Sequence, residues 1–419
     1  MTKSNEKNDR SDGPVMLFGM PAERGRWVLI AVGLAINLCL GTIYSWSVFR
    51  KPLEKVFSTG ATESLLPFII FLAIFALTMP LVGSLLDRYG PRRMTVVGGL
   101  IVGAGWLLGS LSTSMVMLAL TYGVIGGAGV GIVYNAPIGA AARWFPDRRG
   151  LAVGVTVLGF GLSPLITAPL ANASIAASGV LPTLAYFGVG FLVVVSLLGL
   201  VLRFPPPGWT PQGFISSASS GAGGDLTRPE MIRTRSFWGL WLCFMIGTLA
   251  GLMAIGIASP VGQEIFSLSA ATSAALVGVF AIFNGIGRPI FGSLVDKTGP
   301  RTGAVVNLVI ILAAALFIGS FASSGVVWVY IIGFAALWLC LGGWLAIAPA
   351  CTGSFCGMKH YGQNYGLVFT AYGIGAILGN LLAGNLRDIF GSYQLVFYPV
   401  AALAAVGTVI ALVMMKQPD

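Results

Sequence analysis

One arginine in this chain stands where water is scarce. Arg288 lies inside an apolar run, eight residues before Asp296, which at about 1.5 Å per helical residue puts it roughly 12 Å from the nearest polar loop. Taking a guanidinium to that depth costs at least about 2.5 to 3.5 kcal/mol on insertion scales, and a snorkelling arginine sits closer to a helix end. No Asp or Glu lies inside any of the apolar runs to serve as its partner. The compensating charge is therefore expected from a ligand. A guanidinium offers a planar fork that matches a carboxylate with two parallel charge-assisted hydrogen bonds, so the expected ligand is a small organic anion. Asn284, one turn earlier on the same helical face, is placed either to hold the guanidinium, to bond a neighbouring helix, or to donate to a substrate hydroxyl.

The elements that must position such a site follow from composition. Of 419 residues, 56% are hydrophobic and 9% charged, whereas a soluble domain is roughly a quarter charged. The chain reads as an integral membrane protein, and its 58 glycines agree, since small residues let membrane helices approach closely. The net charge of +10 does not call for nucleic acid, because cytoplasmic loops of membrane proteins carry excess Lys and Arg anyway. Cys39, Cys243, Cys340, Cys351 and Cys356 show no paired-ligand spacing, so neither a metal site nor a disulfide framework is expected, and no cofactor. The first apolar run is too long for a cleaved signal and is expected to remain as a span.

Stretches of about 20 mostly apolar residues, the length a hydrocarbon layer requires, occur twelve times: approximately 27–49, 65–86, 94–112, 116–142, 151–172, 183–202, 237–258, 272–294, 302–322, 327–351, 363–386 and 394–414. The expected fold class is an all-α membrane protein with twelve transmembrane helices in two pseudo-symmetric six-helix bundles. Its organisation reads as an N-terminal tail (1–26), an N-terminal bundle (27–202), a linker (203–236), a C-terminal bundle (237–414) and a short tail (415–419). The linker holds Pro205, Pro206 and Pro207, then a Ser/Gly run from Ser216 to Gly224. With the N-terminus inside, 19 of the 24 Lys and Arg fall on the cytoplasmic side. The positive-inside rule thus predicts cytoplasmic termini.

The two halves are repeats. A shift of 209 residues lays Met79–Arg92 on Arg288–Arg301 with eight of 14 positions identical, including Pro80/Pro289, Gly83/Gly292, Asp87/Asp296, Gly90/Gly299 and Arg92/Arg301. That is the signature of a parallel internal repeat. Arg288 matches Met79, so its charge is not part of the shared scaffold.

The loop pattern G-x-L-x-D-R-x-G-x-R, present between spans two and three and echoed between eight and nine, resembles the signature loop of the major facilitator superfamily, and the resemblance covers the whole chain. It implies a gating role for Gly83, Asp87, Arg88, Arg92, Gly292, Asp296 and Arg301. In that role Gly83 permits tight helix contact, and Asp87 meets a helix N-terminus, with the arginines pairing with it or with lipid headgroups. A narrower resemblance rests on Gly129–Tyr134, Arg143–Ala152, Tyr44-Ser45-Trp46 and Asn364-Tyr365-Gly366. These segments are similar to the oxalate:formate antiporter branch and its bacterial monocarboxylate (L-lactate) transporters.

That branch implies alternating access across a bacterial inner membrane, by a monomer with no enzymatic activity. Tyr44, Tyr134 and Tyr372 would line the pocket with Arg288 and Asn284, and Trp344 either walls it or packs in the core. Oxalate, a dianion, would need a second cation from span eleven, but Tyr372 stands where that lysine would align, and Leu341 and Leu345 replace expected aromatics. A second buried carboxylate would remain unpaired at a cost of several kcal/mol. A monocarboxylate such as lactate or pyruvate is therefore expected, with a proton as co-substrate. No intramembrane proton carrier is evident, because Asn284 does not titrate and the single histidine, His360, falls in a loop. Oxalate/formate-type exchange stays open on the same residues, and a facilitator for a neutral sugar or drug is the more distant alternative. A phosphate-binding GxxxxGK[ST] loop is absent, which argues against an ATP-driven pump.

Overall fold

The computed structural model describes residues 15–212, 225–357 and 360–416, apart from the side chains of Ser84 and Arg149. The Ser216 to Gly224 run and both chain ends lie outside the described residues. Among the described residues, twelve helices are long and apolar enough to cross a membrane: α1 (Ala22–Phe57), α2 (Ala61–Gly83), α3 (Leu85–Ser110), α4 (Met115–Trp144), α5 (Gly150–Ser178), α6 (Val180–Gly199), α7 (Arg235–Glu264), α8 (Ala270–Thr298), α9 (Pro300–Ser324), α10 (Val327–Cys356), α11 (Tyr361–Phe390) and α12 (Gln394–Met414). They form two six-helix bundles that meet chiefly through α2 against α11 and α5 against α8, with α1 against α7.

The repeated motif produces repeated geometry. Gly90 and Gly299 adopt nearly the same conformation, φ 76° and 86° with ψ 163° and 162°. A side chain is strained at such φ, so glycine stands at both positions: Gly299 ends α8, and Gly90 makes a kink within α3. The following Pro91 and Pro300 suit a helix start, where a missing N–H costs nothing. Thr234 and Ser269 cap α7 and α8 by accepting from Phe237 and Thr272 backbone N–H groups, at 3.1 and 3.0 Å.

Two helices depart from α geometry where the bundles need it. In α1 the stretch Gly41–Ser45 tightens to a 3-10 turn. Gly41 lies directly on the Phe160 carbonyl of α5, a carbonyl that Pro164 leaves without its helical donor. Thr42 and Ser45 add hydroxyl contacts to Ser163 and Thr167 at 3.4 and 2.7 Å. In α4, Ala119–Gly126 widens to a π-helix where Gly123 and Gly127 press on Ile70 and Phe71 of α2. Glycines of α4 and α11 also bring helices close: Gly129 lies against Val102, and Gly375 against Thr248 and Met245.

Between the bundles, a short helix Arg228–Ile232 is opened by a capping box of Thr227 and Glu230. The segment before it is pinned to the C-terminal bundle. Leu226 N–H donates to Cys356 O at 3.0 Å, and Asn364 Nδ2 donates to Leu226 O at 2.9 Å.

Candidate functional site

Arg288 sits ten residues before the end of α8, on a stretch where Gly285 and Gly287 let the helix press on α5 and α10. Its side chain is 9% exposed, so it faces protein and not lipid. Nη1 donates to the Val157 carbonyl of α5 at 2.8 Å, across the bundle interface. Nη2 lies 3.5 Å from Asn284 Oδ1. Nε is buried without a hydrogen-bond partner, and no ion pair joins Arg288 to a carboxylate among the described residues. A buried cation with an idle donor edge is costly, and it is the condition that an entering anion relieves.

Asn284 is fully buried, and its Nδ2 donates to Trp338 O of α10 at 3.3 Å. Both ends of its amide are thus turned by the fold, one toward α10 and the other toward Arg288. The tyrosines expected from sequence converge on the same place. Tyr134 on α4 lies beside the guanidinium, with Tyr44, Tyr365 and Tyr372 nearby. Tyr44 and Tyr372 share a hydrogen bond of 2.8 Å between their hydroxyls. Tyr44 lies on the 3-10 turn of α1 and is buried.

Phenyl rings complete the wall. Phe160 lies 5.0 Å from Tyr44 and 5.3 Å from Tyr134, centroid to centroid, and Phe75 lies 5.3 Å from Tyr134. Phe369 stacks on Tyr372 at 4.8 Å. The surroundings of Arg288 are therefore aromatic with hydroxyl tips, suited to a small molecule with one charged end and an apolar body. Trp344 lies against Gly247 and Phe244 inside the C-terminal bundle. It packs there as a core residue.

The motif residues occupy the far end of the bundles, and two expectations need correction. Asp87 does not pair with the arginines of its own loop. It accepts from Arg143 at the end of α4, at 2.5 Å, while the Arg143 guanidinium rests on the Phe204 ring at 3.8 Å. Arg88 instead lies over Tyr89 at 5.3 Å. Gly83 makes no tight helix contact either: a side-chain carbon there would meet nothing within 4 Å, and at Gly292 only Ala346 at 3.9 Å. At these two glycines the helix surface has open space beside it. Arg92 and Asp296 are exposed, and Arg301 donates to the Leu412 carbonyl.

Sequence reasoning missed Arg50. It looked like one of a group of loop cations with Lys51 and Lys55, but it is fully buried at the opposite end of α1. Its guanidinium donates to Ser64 Oγ (2.9 Å), Ala61 O (2.9 Å), Tyr393 Oη (2.9 Å), Gly256 O (3.2 Å) and Glu54 (3.3 Å). Beside it Glu264 of α7 pairs with Lys51 of α1 and, at 2.6 Å, with Arg387 of α11. Asp388 accepts from the Ala61 and Thr62 N–H groups that begin α2, both at 2.9 Å. These contacts cross between the bundles and close this end. The only sequence signal was the density of charge around positions 50–55.

Comparisons with known proteins agree with this architecture. Residues 27–355 and 240–419 match the sequence profile of the Major Facilitator Superfamily. The chain is 30% identical to the oxalate:formate antiporter of Oxalobacter formigenes, over 89% of this chain and 87% of that one. It is 26% identical to monocarboxylate transporter 13 of Rattus norvegicus (92% and 87% covered) and 25% identical to apicoplast pyruvate carrier 1 of Toxoplasma gondii (87% and 82%). In three dimensions it is similar to a bacterial homologue of the human lysosomal transporter Spinster in an inward-facing, occupied conformation. There the TM-score is 0.68 at 16% identity, covering 94% of this chain and 97% of that one.

Proposed function

This chain belongs to the Major Facilitator Superfamily and is a secondary transporter, and we propose that its substrate is a small monocarboxylate of the lactate or pyruvate type, carried with a proton across a bacterial inner membrane. The observation that carries this reading is Arg288: buried, without a carboxylate partner, and with Nε idle. One guanidinium balances one carboxylate. Where a second cation would be needed for a dianion, Tyr372 is already engaged with Tyr44 through neutral hydroxyls. Those hydroxyls and Tyr134 suit the 2-hydroxy or 2-oxo group, and the phenyl rings suit the apolar end.

Alternating access follows from the two bundles rocking about this site. With cytoplasmic termini, as the positive-inside distribution implies, the Arg50–Glu264 network closes the external side, and the motif end faces the cytoplasm. Among the described residues no carboxylate pairs with Arg288, so the proton travels on the acid itself, through water, or by a group at the mouth of the site.

The test is uptake of labelled lactate into proteoliposomes. Arg288→Lys keeps charge but loses the fork and is expected to raise KM severely, while Arg288→Gln abolishes uptake. Unchanged uptake in both variants removes the anion site. An imposed gradient, acid outside, accelerates uptake under proton symport. The 30% identity to an antiporter favours exchange as the second reading, in which uptake requires an anion preloaded inside and ignores the pH gradient.

A further inference from the structure

The guanidinium of Arg288 is held from two bundles at once. Its own helix supplies Asn284, and the opposite bundle supplies the α5 backbone at Val157, whose carbonyl takes Nη1 at 2.8 Å. That contact needs α5 and α8 to approach closely. Gly161, one turn after Val157, is the residue that allows it. A Cβ at position 161 would stand 2.6 Å from Asn284 Oδ1 and 3.2 Å from Arg288 Nη2.

We propose that the Val157–Gly161 backbone of α5 is a positioning element of the anion site: it fixes Nη1 and leaves the Nε–Nη2 edge of Arg288 presented to the substrate carboxylate, with Gly161 as the residue whose missing side chain makes this possible. The inference rests on the anion-site reading above. An arginine has two edges able to bind a carboxylate with parallel N–H bonds, and either would serve if the side chain were free to turn. Nη1 is taken by a backbone carbonyl and Nη2 rests only at 3.5 Å on Asn284 Oδ1, so the edge that carries the partnerless Nε is the one with donor capacity to spare. Because Val157 and Arg288 lie on different bundles, the edge is presented only while α5 and α8 are in contact. The site's affinity is thereby tied to the bundle arrangement through the α5 backbone at Val157.

The steric argument also says what breaks. The atoms that meet the added methyl are the tips of two side chains and not backbone, unlike Gly41 or Gly287, where an added Cβ meets a carbonyl. Gly161→Ala therefore displaces Asn284 and Arg288 while leaving the helices packed. Gly154, on the same helix with nothing within 4 Å of its Cβ position, is the matched control.

The experiment is lactate uptake and lactate-induced thermal stabilisation of the full-length carrier for Gly161→Ala, Gly154→Ala, Asn284→Ala and the double variant Gly161→Ala/Asn284→Ala, beside Arg288→Gln. The expected result is a KM raised about tenfold or more in Gly161→Ala with Vmax within about twofold, and loss of the lactate-induced rise in Tm. Gly154→Ala matches the parent. In the Asn284→Ala background, where Oδ1 is gone, adding Gly161→Ala changes KM by less than about twofold, a non-additivity that a merely structural role does not produce. If the single variant fails to insert, the double variant carries the test by the same comparison. A parental KM in Gly161→Ala alongside a dead Arg288→Gln overturns this inference and leaves the anion site standing. An equal KM increase in both backgrounds overturns it too. Parental uptake in Arg288→Gln sinks the anion site and this inference together.

Discussion

The hydroxyls of Tyr44 on α1 and Tyr372 on α11 lie 2.8 Å apart, a buried hydrogen bond that joins the two bundles beside Arg288. Both rings are about 1% exposed, so neither hydroxyl has water to fall back on.

Removing one partner leaves the other unsatisfied, at about 1–3 kcal/mol, whereas removing both is nearly neutral. Tyr44→Phe and Tyr372→Phe are each expected to lower Tm and weaken lactate uptake. The double variant is expected to cost less than the sum. Strict additivity in Tm refutes a direct bond. Tyr372→Lys places a second cation beside Arg288 and is expected to strengthen oxalate as a competitor of lactate uptake; unchanged oxalate inhibition counts against the charge-matching argument.

The closed end depends on Arg50 and Glu264. Glu264→Gln weakens its pairing with both Lys51 and Arg387, and Arg50→Ala strips a partner from the half-buried Glu54, a loss on the order of 3 kcal/mol. Both variants are expected to shift the carrier toward opening at this end. In a background without native cysteines, a Leu65→Cys reporter, buried here in the parent, should label faster with a water-soluble maleimide. Labelling at the parental rate shows that the network does not hold the gate.

Acid stability at the other end is set in part by Asp147, in the loop between α4 and α5. Its carboxylate takes two bonds from Arg26, at 2.6 and 2.8 Å, and that hydrogen bonding holds its pKa below the ordinary Asp value of 3.8. A carboxyl whose folded pKa is depressed contributes stability above its unfolded pKa and loses it as pH falls through the folded value. Asp147→Asn is expected to cost on the order of 1 kcal/mol at neutral pH, with its Tm curve converging on the parent below about pH 4. A constant gap down to the lowest pH measured contradicts the assignment.

Much of this was legible in the chain. Apolar length marks a span wherever lipid is the solvent, since every backbone polar group must be satisfied within the helix, so twelve crossings could be counted. The repeat around Asp87 and Asp296 was visible because a Gly-Pro turn admits few substitutes, and Arg288 because a charge in an apolar run has no innocuous neighbour. Arg50 was hidden for the opposite reason. At the end of its apolar run, among Lys51 and Lys55, it has the pattern of an ordinary solvated cation, and only Tyr393 and the Gly256 carbonyl, brought from the other bundle, reveal it as buried. Gly83 misled because a glycine in a helix announces room for contact without saying whether a neighbour fills it, and at this end of the bundles none does.

Composition, periodicity and internal repetition determined what this protein is made of: twelve crossings in two related bundles, with one stranded guanidinium. Those are properties of short windows, where solvent preference acts residue by residue. Which edge of Arg288 is free, which carbonyl holds it, and which tyrosines meet across the interface were decided only by tertiary structure. They depend on atoms more than a hundred residues apart being placed to within a few tenths of an ångström, and close packing of whole helices settles that where local preference cannot.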